Sequence, residues 1–159
     1  MSKSRFSIRS LALAGIIAGI YTGLTLGLPI PSYGGVQLRV AEAMTLLPMI
    51  LPQAIPGLFV GCLIANLYTG MLTDIIFGSL ATLIAALGTY FLRKKPLLAA
   101  ACPVVSNGVI VGLVLSLTSN WPILLTMLQV GIGEVGAVVI GLVLLSAMRR
   151  AKIDLTRLG

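Results

Sequence analysis

Apolar stretches follow one another along almost the whole chain, each cut from the next by proline, by glycine or by a run of basic residues. Their bounds fall at about 10–28, 38–51, 55–68, 72–92, 97–118 and 122–148. A helix that crosses the hydrocarbon core of a bilayer needs about 20 predominantly apolar residues, so lipid is the solvent this pattern fits. Only 9% of the 159 residues are charged, where a soluble domain carries roughly 25%, and a water-soluble globule is excluded. The pattern predicts an all-α membrane protein: a bundle of six transmembrane helices forming one integral membrane domain over 1–159. About 40 residues remain for loops and tails, too few for a soluble catalytic or nucleotide-binding domain. The second and third stretches are short, and Pro48, Pro52 and Pro56 punctuate them. Four spanning helices plus one re-entrant pair fit the same letters.

Lys and Arg number 11 against 4 Asp and Glu, a formal charge of +7. Their placement argues against a nucleic-acid partner. Lys3, Arg5 and Arg9 precede the first stretch, Arg93, Lys94 and Lys95 separate the fourth from the fifth, and Arg149, Arg150, Lys152 and Arg157 follow the last. Clusters at alternate loops mark cytoplasmic helix ends, which predicts both termini in the cytoplasm. Such ends also suit contact with anionic headgroups. The run from Leu11 to Leu28 exceeds the about 7–15 residues of a signal-peptide core and has no small-x-small cleavage site, which predicts a retained first helix. Cys62 and Cys102 lie inside apolar stretches and histidine is absent from the sequence, so neither a disulfide framework, nor a Cys/His metal site, nor imidazole catalysis is expected.

With the cytoplasmic charges set aside, Arg39, Glu42, Asp74 and Glu134 remain, one cation against three anions. A cavity reached from outside would therefore prefer a cationic or donor-rich solute. Glu134 lies about 12 residues, or about 18 Å, into its stretch, near mid-membrane. An ion there costs roughly 2.5–3.5 kcal/mol on insertion scales, so it should face the bundle interior. Gly131, Gly133 and Gly136 leave volume around it. It reads either as a ligand-binding carboxylate or as a protonated or internally paired structural one. Asn107, followed by Gly108, reaches a similar depth from the opposite direction; it reads as a partner of Glu134 on one ligand or as a bond between helices. Arg39 and Glu42, three apart on one helix face, make a surface ion pair or a clamp beneath the outer loop. Asp74 complements a helix dipole or contributes to the site. Gln37, Asn66 and Gln129 are further polar candidates, and Tyr33, Tyr68 and Phe77 are candidates to stack on a ring. A carboxylate deep in an apolar cleft accepts two parallel N–H bonds from an amidine-like edge such as that of a guanine-type ring, and an asparagine reads the oxo edge.

The first stretch carries Gly15, Gly19, Gly23 and Gly27 at four-residue spacing beside Ala14 and Ala18. That face is flat enough for another backbone to approach, either a neighbouring helix or a partner protein. Leu28-Pro29-Ile30-Pro31-Ser32-Tyr33-Gly34-Gly35 then breaks the helix and predicts the longest outer loop.

The string Val36-Gln37-Leu38-Arg39-Val40-Ala41-Glu42-Ala43, the string from Ala54-Ile55-Pro56-Gly57 through Ile64-Ala65-Asn66-Leu67, and Asp74-Ile75-Ile76-Phe77-Gly78-Ser79-Leu80-Ala81-Thr82-Leu83 resemble the queuosine-precursor transporter family, QueT. The likeness covers most of the chain. Members of that family are substrate-binding S components of energy-coupling-factor transporters. The resemblance implies six helices in a bacterial plasma membrane, cytoplasmic termini, and an outer loop after the first helix that lids the substrate. It implies a 7-deazaguanine ligand, preQ1 or preQ0, and no hydrolysis by this chain. A transmembrane coupling subunit and two ATPase subunits would supply the power, so no cofactor is expected here; the sequence contains no GxxxxGK[ST] loop. The family's AxxxA partner face is matched by Ala14-Gly15-Ile16-Ile17-Ala18, with Gly19 beside it. Two alternatives fit the residues: an S component for another vitamin-like or nucleobase-like ligand, and a gradient-driven secondary transporter with Glu134 as its proton site.

Overall fold

The computed structural model describes residues 7–28 and 39–151. Tyr33, Gln37 and the expected outer loop lie outside these residues. The described chain is helical, with no strand. Its α-helices are α1 (Ile8–Gly27), α2 (Ala54–Thr69), α3 (Ser79–Phe91), α4 (Pro96–Ser119) and α5 (Ile123–Arg150). A 3₁₀ helix, Val40–Met49, comes between α1 and α2, and a π-helical turn, Asp74–Gly78, runs directly into α3. Four segments are long and apolar enough to cross a membrane: Ile8–Gly27, Asp74–Phe91, Pro96–Ser119 and Ile123–Arg150. The 3₁₀ helix and α2 are shorter, at 10 and 16 residues.

Local chemistry sets the ends. Ser7 accepts a hydrogen bond from the Arg9 N–H at the start of α1. Gly70 closes α2 with φ of +75°, a conformation other residues rarely adopt, while its N–H bonds Asn66 O. Pro96 occupies the first turn of α4, where its missing N–H costs nothing. The α4–α5 turn is tied by Ser116 Oγ donating to Trp121 O at 2.6 Å.

Each α-helix packs on the next in sequence, whereas α1 and α5 do not meet. The 3₁₀ helix touches all five and closes the seam between α1 and α5. It is consequently buried on most sides, through Ala41, Glu42, Ala43, Thr45, Leu46, Pro48 and Met49. In lipid no hydrophobic force draws helices together, so close packing of small residues carries the contacts. Gly57 and Gly61 of α2 receive α1 this way: a Cβ on Gly57 would stand 2.7 Å from Ala14 O, and one on Gly61 2.8 Å from Ala18 O. Gly141 of α5 receives the 3₁₀ helix at Ala43 with a comparable 2.5 Å. The outside is the reverse of a soluble protein's. On α5, Leu124, Leu128, Ile132, Val139 and Val143 are exposed, while Thr126, Gly133, Glu134 and Ala137 face inward.

Candidate functional site

Glu42 is the second acid that the bundle buries. It sits in the first turn of the 3₁₀ helix and is only 2% exposed. Its Oε1 accepts a short hydrogen bond from the Tyr21 hydroxyl of α1 and a 3.3 Å bond from Thr82 Oγ1 of α3. Its Oε2 is buried with no hydrogen-bond partner. A surface ion pair with Arg39 is therefore excluded. Arg39 instead reaches Asp74 at 3.9 Å, both side chains partly exposed. Arg39 stands just before the first 3₁₀ turn with extended backbone, and from there it lines the same cavity as Glu42 while its guanidinium reaches Asp74.

Glu134 lies about 11 residues past the start of α5, and Asn107 about 11 past the start of α4, hence about 16 Å along each axis. The two helices pack together, with Gly108 and Gly112 of α4 against Gly131 and Met127 of α5. Both polar groups are 4% exposed. They line one internal cavity with Arg39, Glu42, Gly78, Thr82, Val111 and Val130. Asn107 Nδ2 and Glu134 Oε1, like Glu42 Oε2, have no hydrogen-bond partner. The space between these groups is about 20 Å³, room for about one water and far too little for a fused ring. A larger guest requires the walls to part.

The remaining sequence candidates fall elsewhere. Asn66 is buried, but its Nδ2 is spent on Asp74 O at 2.8 Å, with Ser79 Oγ and Cys62 Sγ at 3.4 Å, tying α2 to the π turn. Gln129 has a buried Oε1 without a partner yet does not line the cavity. Asp74 reaches the site only through Arg39. Tyr68 and Phe77 are exposed on the outer surface and take no part in the cavity. Ala14 and Ala18 are buried against α2, whereas Gly15 and Gly19 on the other side of α1 have open space before them. Tyr21, Gly78 and Thr82 escaped sequence reasoning. The available signals were one hydroxyl-bearing ring in a helix that beyond Arg9 is otherwise built of small and aliphatic residues, and a Ser79/Thr82 pair on one face of α3.

A helical bundle that is apolar outside, has four helices fit to cross a bilayer and encloses acids at its centre has the build of a multi-pass membrane transporter. The chain belongs to the QueT transporter family, whose sequence model matches residues 11–150. Over 87 residues it is 34% identical to "Queuosine precursor transporter QueT" of Lactococcus lactis subsp. cremoris (strain MG1363), a stretch covering 53% of this chain and 50% of that protein. The match thus spans about half the length of that curated relative. No solved structure matches the chain significantly.

Proposed function

We propose that this chain is the substrate-binding S component of an energy-coupling-factor importer for a queuosine precursor, a 7-deazaguanine such as preQ1 or preQ0. One observation carries the reading: Glu42, Asn107 and Glu134 line the same buried cavity, and each keeps a hydrogen-bonding atom without a partner. A buried polar group left so costs about 1–3 kcal/mol, which a guest with matching groups would recover. The three groups suit a guanine-type edge. Its N–H and amino donors match a carboxylate, and its oxo oxygen matches the Asn107 Nδ2 donor.

In this reading the helices cross the bacterial plasma membrane six times and both termini are cytoplasmic. The chain is not an enzyme and holds no cofactor; a transmembrane coupling subunit and two ATPase subunits use the ATP. Because the cavity must widen, the Arg39–Asp74 contact and the central 3₁₀ helix are the parts that have to give way. Equilibrium titration of the purified protein tests the ligand. One-site binding of preQ1 is expected, weakened about tenfold or more by Glu134→Gln through loss of a charge-assisted bond. Tighter binding of riboflavin, thiamine or biotin would contradict it.

A further inference from the structure

Outside the cavity, one surface feature joins an apolar groove to a set of exposed cations. A groove of about 440 Å³ runs between α3 and α4, lined by Ile84 and Gly88 on one side and by Leu98, Cys102, Val105 and Val109 on the other. The α4 positions recur at three- and four-residue spacing and therefore form one face. From Leu98 to Val109 the groove covers about 16 Å at 1.5 Å per residue, the depth of one leaflet of a ~30 Å hydrocarbon core. Its floor is low because position 88 has no side chain: a Cβ there would stand 2.9 Å from Cys102 Sγ.

The Leu98 end of the groove opens at the turn that joins α3 to α4, where Arg93, Lys94 and Lys95 are all exposed. Among the described residues the ion pair is Arg39–Asp74, at the far end of the π turn and α3, and none of these three cations meets a carboxylate. Arg93 is steadied by stacking, its guanidinium carbon 4.1 Å from the Tyr90 ring centroid. Tyr90 and Phe91, in edge contact at 5.7 Å, stand at the level where aromatic side chains meet headgroups. A second groove of about 290 Å³ continues along α4 past Ile110 to Thr118, with Thr73 and Phe77 opposite, and no basic residue lines it. The molecule therefore offers an internal comparison: two apolar grooves, of which one ends at cations.

We infer that the α3–α4 groove is a binding site for an anionic phospholipid, with one acyl chain lying along Leu98–Val109 and the phosphate headgroup held by Arg93, Lys94 and Lys95. Basic clusters beside a cleft between spanning helices have the charge and shape such a lipid needs.

The test is native mass spectrometry of the purified protein titrated with phosphatidylglycerol or phosphatidylcholine of identical acyl chains, with thermal unfolding measured in parallel. The wild type should bind phosphatidylglycerol tighter than phosphatidylcholine by about tenfold or more, as expected for several cations near one headgroup. The Arg93→Gln/Lys94→Gln/Lys95→Gln variant should lose that preference. Ala101 also lines the first groove from an exposed position and Leu117 lines the second, so Ala101→Phe should weaken both lipids while Leu117→Phe should change neither. Phosphatidylglycerol should raise the unfolding temperature of the wild type and of Leu117→Phe, and of neither other variant. Equal binding of the two lipids overturns the proposal, as does a preference that survives the triple substitution. Undiminished binding by Ala101→Phe overturns the groove, and a dimer in place of lipid adducts assigns that face to a second copy of this chain and overturns the site.

Discussion

Two carboxylates, Glu42 and Glu134, line one small cavity with a single guanidinium, Arg39, which leaves one acid in excess over the cation. Glu42 accepts hydrogen bonds from the Tyr21 and Thr82 hydroxyls. Glu134 Oε1 has no such help. On the proposed function, that excess acid should favour a solute with an ammonium group over its neutral counterpart. The aminomethyl precursor, preQ1, should bind about tenfold or more tighter than the nitrile, preQ0, as for a charge-assisted hydrogen bond, and Glu134→Gln should narrow the gap. Competition binding with the two compounds checks it; equal affinities in the wild type would remove the electrostatic part. Tyr21→Phe deprives a buried carboxylate of its shortest donor and should cost about 1–3 kcal/mol of stability, read as a lower unfolding temperature. At this scale the sequence was legible where depth alone decided: counting turns from each helix end puts Glu134 and Asn107 at one level. At Glu42 the letters left two readings open, a surface pair with the cation three residues away or a clamp on the site, and at Tyr21 they gave no signal, because an aromatic inside an apolar helix gives no sign of what its hydroxyl meets.

The elements divide according to how small residues are placed. Gly57→Ala and Gly61→Ala should each destabilise the bundle by about 1–3 kcal/mol, since the added methyl overlaps the backbone of α1. Gly15→Ala and Gly19→Ala meet nothing within 4 Å and should hold stability or raise it by up to about 1 kcal/mol through helix propensity. Fluorescence-detected gel filtration after heating distinguishes the two pairs. The small residues of the first apolar stretch signalled a close contact; within the bundle that neighbour is α2, met through Ala14 and Ala18, while Gly15 and Gly19 face open space. The 3₁₀ winding of Val40–Met49 was hidden as well. Its letters suit an α-helix as well as a 3₁₀ helix until Pro48, and the choice depends on a setting no local pattern carries. Ten residues at about 2.0 Å each reach about 20 Å, further than the same number in an α-helix. The narrower coil, built with Ala41, Ala43 and Thr45, fits where five helices leave little width.

Across the whole molecule, the helical class and the inverted distribution of polarity follow from an excess of apolar residues that only lipid tolerates. With Cys62 and Cys102 first replaced by alanine, a cysteine at Lys94 should react with a membrane-impermeant thiol reagent only from the cytoplasmic side, and one at Asn120 only from outside. Labelling of both from the same side would contradict six crossings. Uptake of the precursor by cells should require the coupling subunit and its ATPases alongside this chain; accumulation driven by the chain alone would favour a gradient-driven carrier. The central claim is that the cavity between Glu42, Asn107 and Glu134 holds the cargo. It is tested most directly by mass-spectrometric identification of the small molecule that copurifies with the protein from bacterial membranes. A near-stoichiometric 7-deazaguanine is expected with the wild type, and none with a folded Glu134→Gln/Asn107→Ala double variant. A different class of compound, or a 7-deazaguanine retained undiminished by the double variant, would contradict the claim.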